Sequence, residues 1–420
     1  MSESLYWTWL SQKLGAASPY LAPLLAKYAS PKEIFDASAS EIMQIEKIPD
    51  AVKQRLTDKN LERAERILAD CRALGVGILT YNDPRYPRIL KYIPKPPALL
   101  YFLGQPIDFD KKLCVAMVGT RTMSPYGRDM AYRFAYELAS AGAIVVSGMA
   151  LGVDGMASAG ALDAHMPSAA VLGSGVDVVY PYVHKKLYNS ILHEGMILSE
   201  YPPGTEPDKA NFPQRNRIIS GLCRCTLVVE SPESGGALIT AKYSIAVGRP
   251  TFAIPGALTF ENSAGSNALL KSGARIATCS EDILNLYSAE TFPDIDVCAI
   301  GHKEYNAEKA ANRYGVSYKK TKAKFVFLGA RREKTKADEE ELAEASALGM
   351  ESEIKEKKEF ALLSPAEKAL FDLLPEEGGV SVDFLVQSSG ESVADVSMHL
   401  LSLQIKGAVL ELPGGRYRKA

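Results

Sequence analysis

The stretch LCVAMVG, Leu113 to Gly119, is a continuous apolar run that ends in glycine. Similar runs follow it along the chain, AIVVSG, SAAVLGSG, ILSEY, TLVVE and PTFAIPG, with helix-like segments between them. Strands that are apolar throughout and alternate with helices are typical of a parallel sheet covered on both faces. The sequence therefore predicts an α/β fold over residues 78–288, a Rossmann-like, doubly wound and mostly parallel sheet.

The segments on either side of this pattern predict three further parts. Residues 1–77 carry apolar side chains at helical spacing, which predicts a small helical N-terminal domain of the SAM or helix-hairpin-helix type. The proline-rich stretch 78–104 reads as a connector at the start of the sheet domain. Residues 289–360 are charge-dense with few large apolar side chains, so we expect a linker. Residues 361–420 predict a winged helix, three helices and a hairpin turning at Gly414-Gly415.

Composition limits the classes of function. The 420 residues carry a formal net charge of −2, so a nucleic-acid site must be a local patch and not a basic surface. The six cysteines show no CxxC pair and no zinc-ligand spacing, which favours reduced thiols and no metal. The N-terminus lacks the pattern of a signal peptide and no apolar run is long enough to cross a bilayer. We expect a cytoplasmic protein with no membrane partner.

Glycine-rich loops follow several of the predicted strands. In sheets of this type ligands bind at the carboxyl ends of the strands, where glycine allows the backbone to approach a phosphate closely. The loops match neither a Walker A motif nor GxGxxG. The candidate binding residues in them are Gly119, Arg121, Ser147, Gly148, Gly173, Gly175, Ser234 and Gly235.

The segment FPQRNRIISG, Phe212 to Gly221, adds cations near a predicted helix start. Arginines there suit a bound anion, because the helix N-terminus already carries partial positive charge. The alternatives are that Arg215 and Arg217 are ordinary surface arginines, or that one pairs with an acid such as Asp154 or Glu230. For Asp154 itself we favour a helix-capping role over the orientation of an arginine.

Aromatic residues alternate with cations in YPYVHKKLY, which contributes Lys185 and Lys186. This mixture suits stacked bases and paired phosphates. We find no paired carboxylates, activated nucleophile or metal set, so the sequence predicts binding without catalysis and no cofactor.

These segments together resemble the DprA/Smf family. The motifs that carry the resemblance, in family order, are VGTR, SGMALGVDGMA, LGSGVDVVYP, LSEYPPG, FPQRNRIISGL, ESPESGGALITA, AVGRPTFAIPG and SAGSNALLKSGA. The resemblance implies a homodimer that binds single-stranded DNA and loads the recombinase RecA during natural transformation. It also implies that Arg121 is the principal DNA-contacting arginine, and that the RNR of Arg215, Asn216 and Arg217 forms or braces the pocket. Ser158 stands where the family usually has histidine.

Two other functions match parts of the sequence. The first is a nucleotide phosphoribohydrolase of the LOG type, whose PGGxGTxxE motif is resembled by the start of SGGALITAK. The threonine and glutamate positions of that motif are Ile239 and Lys242 here, so the catalytic carboxylate is lost. The second is a transcription regulator acting through the winged helix. Its predicted recognition helix, Glu391 to Gln404, has no lysine or arginine, which favours contact with protein over duplex DNA.

Overall fold

The computed structural model describes residues 3–287, 291–300, 305–318, 365–375, 378–405, 408–412 and 416–419. They belong to two units, one ending at Ala330 and one beginning at Arg331. None of the helices in these ranges is long and apolar enough to cross a bilayer.

The chain begins with a group of short helices. They are α1 (Glu3–Leu14), α2 (Leu21–Lys27), α3 (Pro31–Asp36), α4 (Ala39–Met43), α5 (Asp50–Thr57) and α6 (Glu62–Leu74). Trp7, Trp9 and Leu10 of α1 are almost completely buried and share one apolar core with the other helices. Ser30 and Ser38 cap α3 and α4 by accepting a hydrogen bond from the third residue of each helix. The predicted helical N-terminal region is confirmed.

The sheet of the first unit has the order β1-β2-β6-β5-β4-β3-β7-β8-β9. Its strands are β1 (Gly77–Thr80), β2 (Leu99–Gly104), β3 (Cys114–Val118), β4 (Ile144–Ser147), β5 (Ser168–Leu172), β6 (Met196–Ser199), β7 (Cys225–Val228), β8 (Thr251–Ala253) and β9 (Arg275–Ile276). All neighbours from β6 to β9 pair in parallel, whereas β1 and β2 add an antiparallel edge. The predicted Rossmann-like sheet is confirmed, and the expected connector 78–104 supplies most of β1 and all of β2.

Helices cover both faces of this sheet. They are α7 (Pro125–Ser140), α8 (Val153–Asp163), α9 (Lys185–Glu194), α10 (Asn211–Leu222), α11 (Ala237–Ala246), α12 (Ala264–Lys271) and α13 (Glu281–Leu284). Alternate residues of β3 serve opposite faces: Val115 and Met117 belong to the core with α7 and α8, and Ala116 to the core with α10. After β3 the chain adds β4, β5 and β6 on one side of that strand. It then crosses to the other side of β3 and adds β7, β8 and β9. The carboxyl ends of β3 and β7 thus form the switch point at which such sheets bind ligands.

Part of the segment expected to be a charged linker packs on this unit. Helix α14 (Ala307–Tyr314) lies against α7 and α8, with Ala310 and Ala311 buried. The Tyr305 hydroxyl donates to Glu137 at 3.0 Å, and the Tyr314 hydroxyl donates to Asp163 at 3.0 Å. Residues 305–318 are therefore packed on the first unit and do not form the solvated linker that the sequence predicted. Residues 319–360 lie outside the described residues. The domain boundaries themselves stay predictions.

The second unit has its own small core. Helices α15 (Pro365–Asp372), α16 (Val382–Ser389) and α17 (Val393–Ile405) accompany an antiparallel sheet of order β10-β12-β11, made of β10 (Val380–Ser381), β11 (Val409–Leu412) and β12 (Arg416–Lys419). Leu370, Leu385, Val396 and Leu403 are buried between these elements. This arrangement confirms the predicted winged helix. The expected turn at Gly414-Gly415 lies outside the described residues.

Candidate nucleic-acid interface

A cleft opens at the carboxyl ends of β3, β4, β5 and β7. Residues of four strand-to-helix loops and the first turns of α10 and α11 line it. They include Gly119, Thr120, Arg121, Gly148, Ala150, Asp154, Gly173, Tyr180, Lys209, Phe212, Arg215, Asn216, Gly235, Gly236 and Ile239. The sheet topology thus brings together loops that are more than 100 residues apart in sequence.

Arg121 lies at the mouth of this cleft on an exposed loop. Its guanidinium carbon is 5.5 Å from the centre of the Phe212 ring. Phe212 in turn stacks on Tyr180, with ring centres 5.4 Å apart and planes inclined by 23°. Arg121 forms no ion pair within the part of the chain that the structure describes. The mouth of the cleft therefore has a cation, Arg121, next to an aromatic surface formed by Phe212 and Tyr180.

Glu230 holds the Arg121 loop to the end of β7. The backbone oxygen of Glu230 accepts a hydrogen bond from the Thr120 amide at 2.7 Å, and its carboxylate accepts one from the Ser124 amide at 2.9 Å. Ser124 then caps α7 by accepting from the Gly127 amide at 3.0 Å. Burial raises the pKa of Glu230, opposed by the bonds from Ser124. These bonds fix the direction in which the Arg121 loop leaves the sheet.

Arg215 forms the floor of the cleft and is only 4% exposed. Its guanidinium donates to the backbone oxygen of Gly148 at 2.9 Å and to that of Val171. A Cβ on Gly148 would lie 2.3 Å from Arg215 Nη2, so a side chain at this position would displace the guanidinium. Burial lowers the pKa of Arg215 to about 10, with the charge of Asp154 opposing the shift. Arg215 therefore shapes the two loops that it contacts.

Asp154 holds the loop before α8 and does not cap that helix. The cap position is Gly152, and an Asp154 oxygen accepts a hydrogen bond from the Gly148 amide at 3.1 Å. Burial raises the pKa of the Asp154 carboxyl, and the charges of Arg215 and Arg121 oppose the rise. The capping prediction is wrong because Asp154 is the second residue of α8, two positions after the cap residue Gly152. Its side chain accepts from the Gly148 amide, in the loop beside Arg215.

Arg217 lies beneath the cleft, where it is 2% exposed and forms an ion pair with Glu200. The Glu200 carboxylate also accepts hydrogen bonds from the Ala17 amide, at 3.3 and 3.4 Å. The partner is thus neither Asp154 nor Glu230, the two acids that sequence suggested. The pair ties α10 to the end of β6 and to the loop after α1, so Arg217 serves the fold in this conformation.

The remaining predicted residues divide into two groups. Gly119, Gly148, Gly173, Asn216 and Gly235 line the cleft, as stated above. Ser147, Gly175, Lys185, Lys186 and Ser234 are not among its lining residues.

The second group has identifiable contacts. Ser147 is fully buried and donates its hydroxyl to the Met117 backbone oxygen at 2.6 Å, so it bonds within the sheet. The Gly175 amide donates to the Thr205 backbone oxygen at 2.8 Å. Lys185 and Lys186 are exposed at the start of α9, with the Lys185 ammonium 5.6 Å from the centre of the Tyr182 ring.

Three participants were not assigned from sequence. Phe212 lies three residues before Arg215 and supplies part of the aromatic surface at the cleft mouth. Its aromatic side chain in the motif FPQRNR could have indicated this role. Lys209 lines the cleft from the loop before α10. Glu200 carries no signal in its own segment, because only the tertiary structure brings it to Arg217 of α10. Ser158 is fully buried, and its hydroxyl has no hydrogen-bond partner among the described residues.

The chain is similar to proteins of one family. The family model described as DNA recombination-mediator protein A matches residues 77–288, and the model of the DprA winged helix domain matches residues 356–415. Protein Smf of Synechocystis sp. is 30% identical over 100% of this chain and 99% of its own length. The DNA processing protein DprA of Bacillus subtilis is 36% identical over 52% of this chain and 73% of its own. The X-ray structure of DprA from Streptococcus pneumoniae matches with 31% identity and a TM-score of 0.58, covering 67% of this chain and 98% of that one.

Proposed function

The chain belongs to the DNA recombination-mediator protein A family, the DprA/Smf family, and on this premise we propose that it binds single-stranded DNA in the cleft. Arg121 is the principal phosphate contact in this proposal. Gly119, Gly148, Gly173 and Gly235 let the strand approach the backbone, and Asn216 offers its amide.

The observation that carries the proposal is the grouping of Arg121, Phe212 and Tyr180. The guanidinium of Arg121 lies over an aromatic ring and has no ion pair in the described residues, so its charge is available to a phosphate. Tyr180 is 40% exposed and stacks on Phe212, which leaves aromatic surface for an unpaired base. Stacking requires bases that are not already paired, so this surface favours single strands over duplex.

The charges of the residues that line the cleft also support binding of single-stranded DNA. Asp154 is the one acidic residue that lines the cleft within the described ranges, and it faces Arg215 and Arg121, so the cleft remains cationic. Lys185 and Lys186 lie outside the cleft beside Tyr182, which is 70% exposed. We propose that a longer strand leaving the cleft reaches them.

The test is the affinity of Arg121→Ala for labelled oligothymidylate at several salt concentrations. Loss of one phosphate contact should reduce the slope of log K against log salt by about 0.7. Arg66→Ala is the matched control, since Arg66 is 78% exposed on α6 and far from the cleft in sequence. Unchanged affinity and slope in Arg121→Ala would refute the role of Arg121, and a preference for duplex would refute the cleft as a single-strand site.

We further propose that the protein is cytoplasmic, forms a homodimer and loads RecA onto single strands during natural transformation. The support is membership of the family. The measurement is the rate of RecA filament formation on strands already covered by a single-strand-binding protein, with and without this protein. Light scattering of the purified protein gives its oligomeric state. No acceleration of filament formation would overturn the loading role.

The proposal includes a role without catalysis. The phosphoribohydrolase alternative would need a carboxylate where this chain has Lys242, which is exposed on α11 beyond the cleft residue Ile239. Release of free base from nucleoside monophosphates would revive that alternative. For the winged helix we propose a protein contact, because α17 carries no lysine or arginine. Removing residues from Ser364 onward should then leave oligonucleotide binding intact, and a loss of binding would contradict this.

A further inference from the structure

Three neighbouring strands of the sheet each have an arginine at or just before their first residue. Arg224 immediately precedes β7, Arg249 lies two residues before β8, and Arg275 is the first residue of β9. These strands are parallel, so their amino ends share the sheet edge opposite the cleft. The three side chains line one pocket together with residues that include Ile89, Tyr92 and Tyr287.

Two of these arginines are held in place by neutral groups. Arg249 donates to the backbone oxygens of Cys223 at 2.7 Å, Ile89 at 3.1 Å and Ser220. The guanidinium carbon of Arg224 is 5.5 Å from the centre of the Phe292 ring. The Nε of Arg224 is buried and has no hydrogen-bond partner among the described residues. The guanidinium groups are therefore oriented before any ligand arrives.

The charge of the pocket is not balanced by the protein. No aspartate or glutamate occurs among its described lining residues, and none of the three arginines forms an ion pair there. Burial lowers the pKa of Arg249, and the neighbouring charge of Arg224 lowers it further. Carbonyl oxygens orient a guanidinium but carry no full negative charge. A bound anion would supply the missing charge and accept hydrogen bonds from the accessible guanidinium nitrogens.

We propose that this pocket binds a phosphate group. Planar guanidinium groups match the oxygens of phosphate in pairs, and three of them suit a dianion better than a single carboxylate. Tyr92 is 79% exposed and Tyr287 lies deeper, so the rim offers aromatic surface next to the phosphate position. The phosphate comes either from a free nucleotide or from the backbone of a DNA strand. This site is separate from the cleft and does not depend on the function proposed for it.

The first experiment uses pyrophosphate and deoxyadenosine monophosphate as probes of the full chain. Both are titrated by calorimetry, and their effect on the thermal midpoint is measured. The variants are Arg275→Glu, which changes an exposed side chain, and Arg121→Ala, which alters only the cleft. We expect Arg121→Ala to bind pyrophosphate as the unaltered protein does, and Arg275→Glu to bind at least 10-fold more weakly. Absence of binding to the unaltered protein, or equal binding by Arg275→Glu, overturns the proposal.

A second arm distinguishes the two sources of phosphate. If Arg121→Ala retains binding to long oligothymidylate and the double variant with Arg275→Glu loses it, the pocket takes the DNA backbone. If the nucleotide binds while Arg275→Glu leaves oligonucleotide affinity unchanged, the ligand is a free nucleotide. Binding of an acidic peptide or a change of oligomeric state in Arg275→Glu, without any response to the phosphate probes, would identify a protein interface and refute the proposal.

Discussion

Replacing Arg217 by methionine removes the cation from a buried ion pair and leaves Glu200 beneath the cleft. Arg217 is 2% exposed and Glu200 7% exposed, so water cannot solvate the remaining carboxylate. Breaking such a pair by removing one partner costs about 3–5 kcal/mol. The bonds from the Ala17 amide to Glu200 offset only part of this, because they are at 3.3 and 3.4 Å. We expect Arg217→Met to lose about 3 kcal/mol of unfolding free energy at neutral pH or above.

The sign of the pH dependence follows from Glu200. Burial already raises its pKa and Arg217 opposes the rise, so removing Arg217 raises the folded-state pKa further. The folded variant then binds a proton at pH values where the unfolded chain, with a glutamate pKa of about 4.3, does not. The variant therefore gains stability as pH falls through the raised pKa. Its deficit relative to the unaltered protein should be largest near pH 8 and shrink toward pH 5.

The assay is urea unfolding followed by tryptophan fluorescence. The only two tryptophans of the chain, Trp7 and Trp9, are buried in α1 and report on the first unit. Arg66→Ala serves as the surface control and should change the unfolding free energy by less than about 0.5 kcal/mol. The double change Arg217→Met with Glu200→Gln should recover part of the loss, since no uncompensated charge remains.

One result would refute this reasoning. If Arg217→Met unfolds at the same urea concentration as the unaltered protein but binds oligothymidylate more weakly, Arg217 is a DNA contact and the ion pair is not its main role.

Three further expectations concern the cleft and its supports. Phe212→Ala should weaken oligothymidylate binding by about 1–3 kcal/mol in fluorescence anisotropy, because a stacking surface is lost, and Phe212→Tyr should retain most of it. Gly148→Ala should weaken binding several-fold, because its Cβ would displace Arg215, whereas Gly236→Ala meets no atom within 4 Å and should be tolerated. His184 is buried, and burial lowers its pKa in the folded protein. The unfolding free energy should therefore fall as pH drops below about 6.5, where the unfolded chain binds a proton and the folded protein does not. A His184→Asn variant should show a smaller change in unfolding free energy between about pH 5 and 7, measured by urea unfolding.

The fold was predictable where the pattern is strong. The strands β3, β5 and β7 are buried along their whole length and are mostly apolar, so each run of residues is recognisable alone. The antiparallel strands β1 and β2 were not predicted, because they are short and the prolines of 78–104 lie between them. Helix α14 was hidden by its charged composition: its buried face consists of alanines, which give little hydrophobic signal.

The site was predictable by position but not by environment. Loops that end parallel strands must meet at one edge, so Arg121 and Gly148 could be placed together from sequence. Whether an arginine is exposed depends on residues from other strands. Arg215 and Arg217 stand two positions apart on α10, yet one shapes the cleft floor and the other pairs with Glu200, the residue after β6. No local pattern in RNR distinguishes these two environments.

The arginines in and beneath the cleft differ in how their charge is compensated. This difference limits the electrostatic contribution to the proposed DNA affinity. Arg217 is neutralised by Glu200, and Arg215 is held by backbone oxygens beside Asp154. Arg121 lies over the Phe212 ring and forms no ion pair among the described residues, although the charge of Asp154 is near it. Even if Lys209 also contacts a phosphate, two phosphates per cleft give a salt slope of about −1.4 for a single strand. A strongly basic protein would show a steeper slope. If the cleft binds single strands as proposed, the stack of Phe212 and Tyr180 must supply much of the affinity, which fits a chain whose net charge is −2.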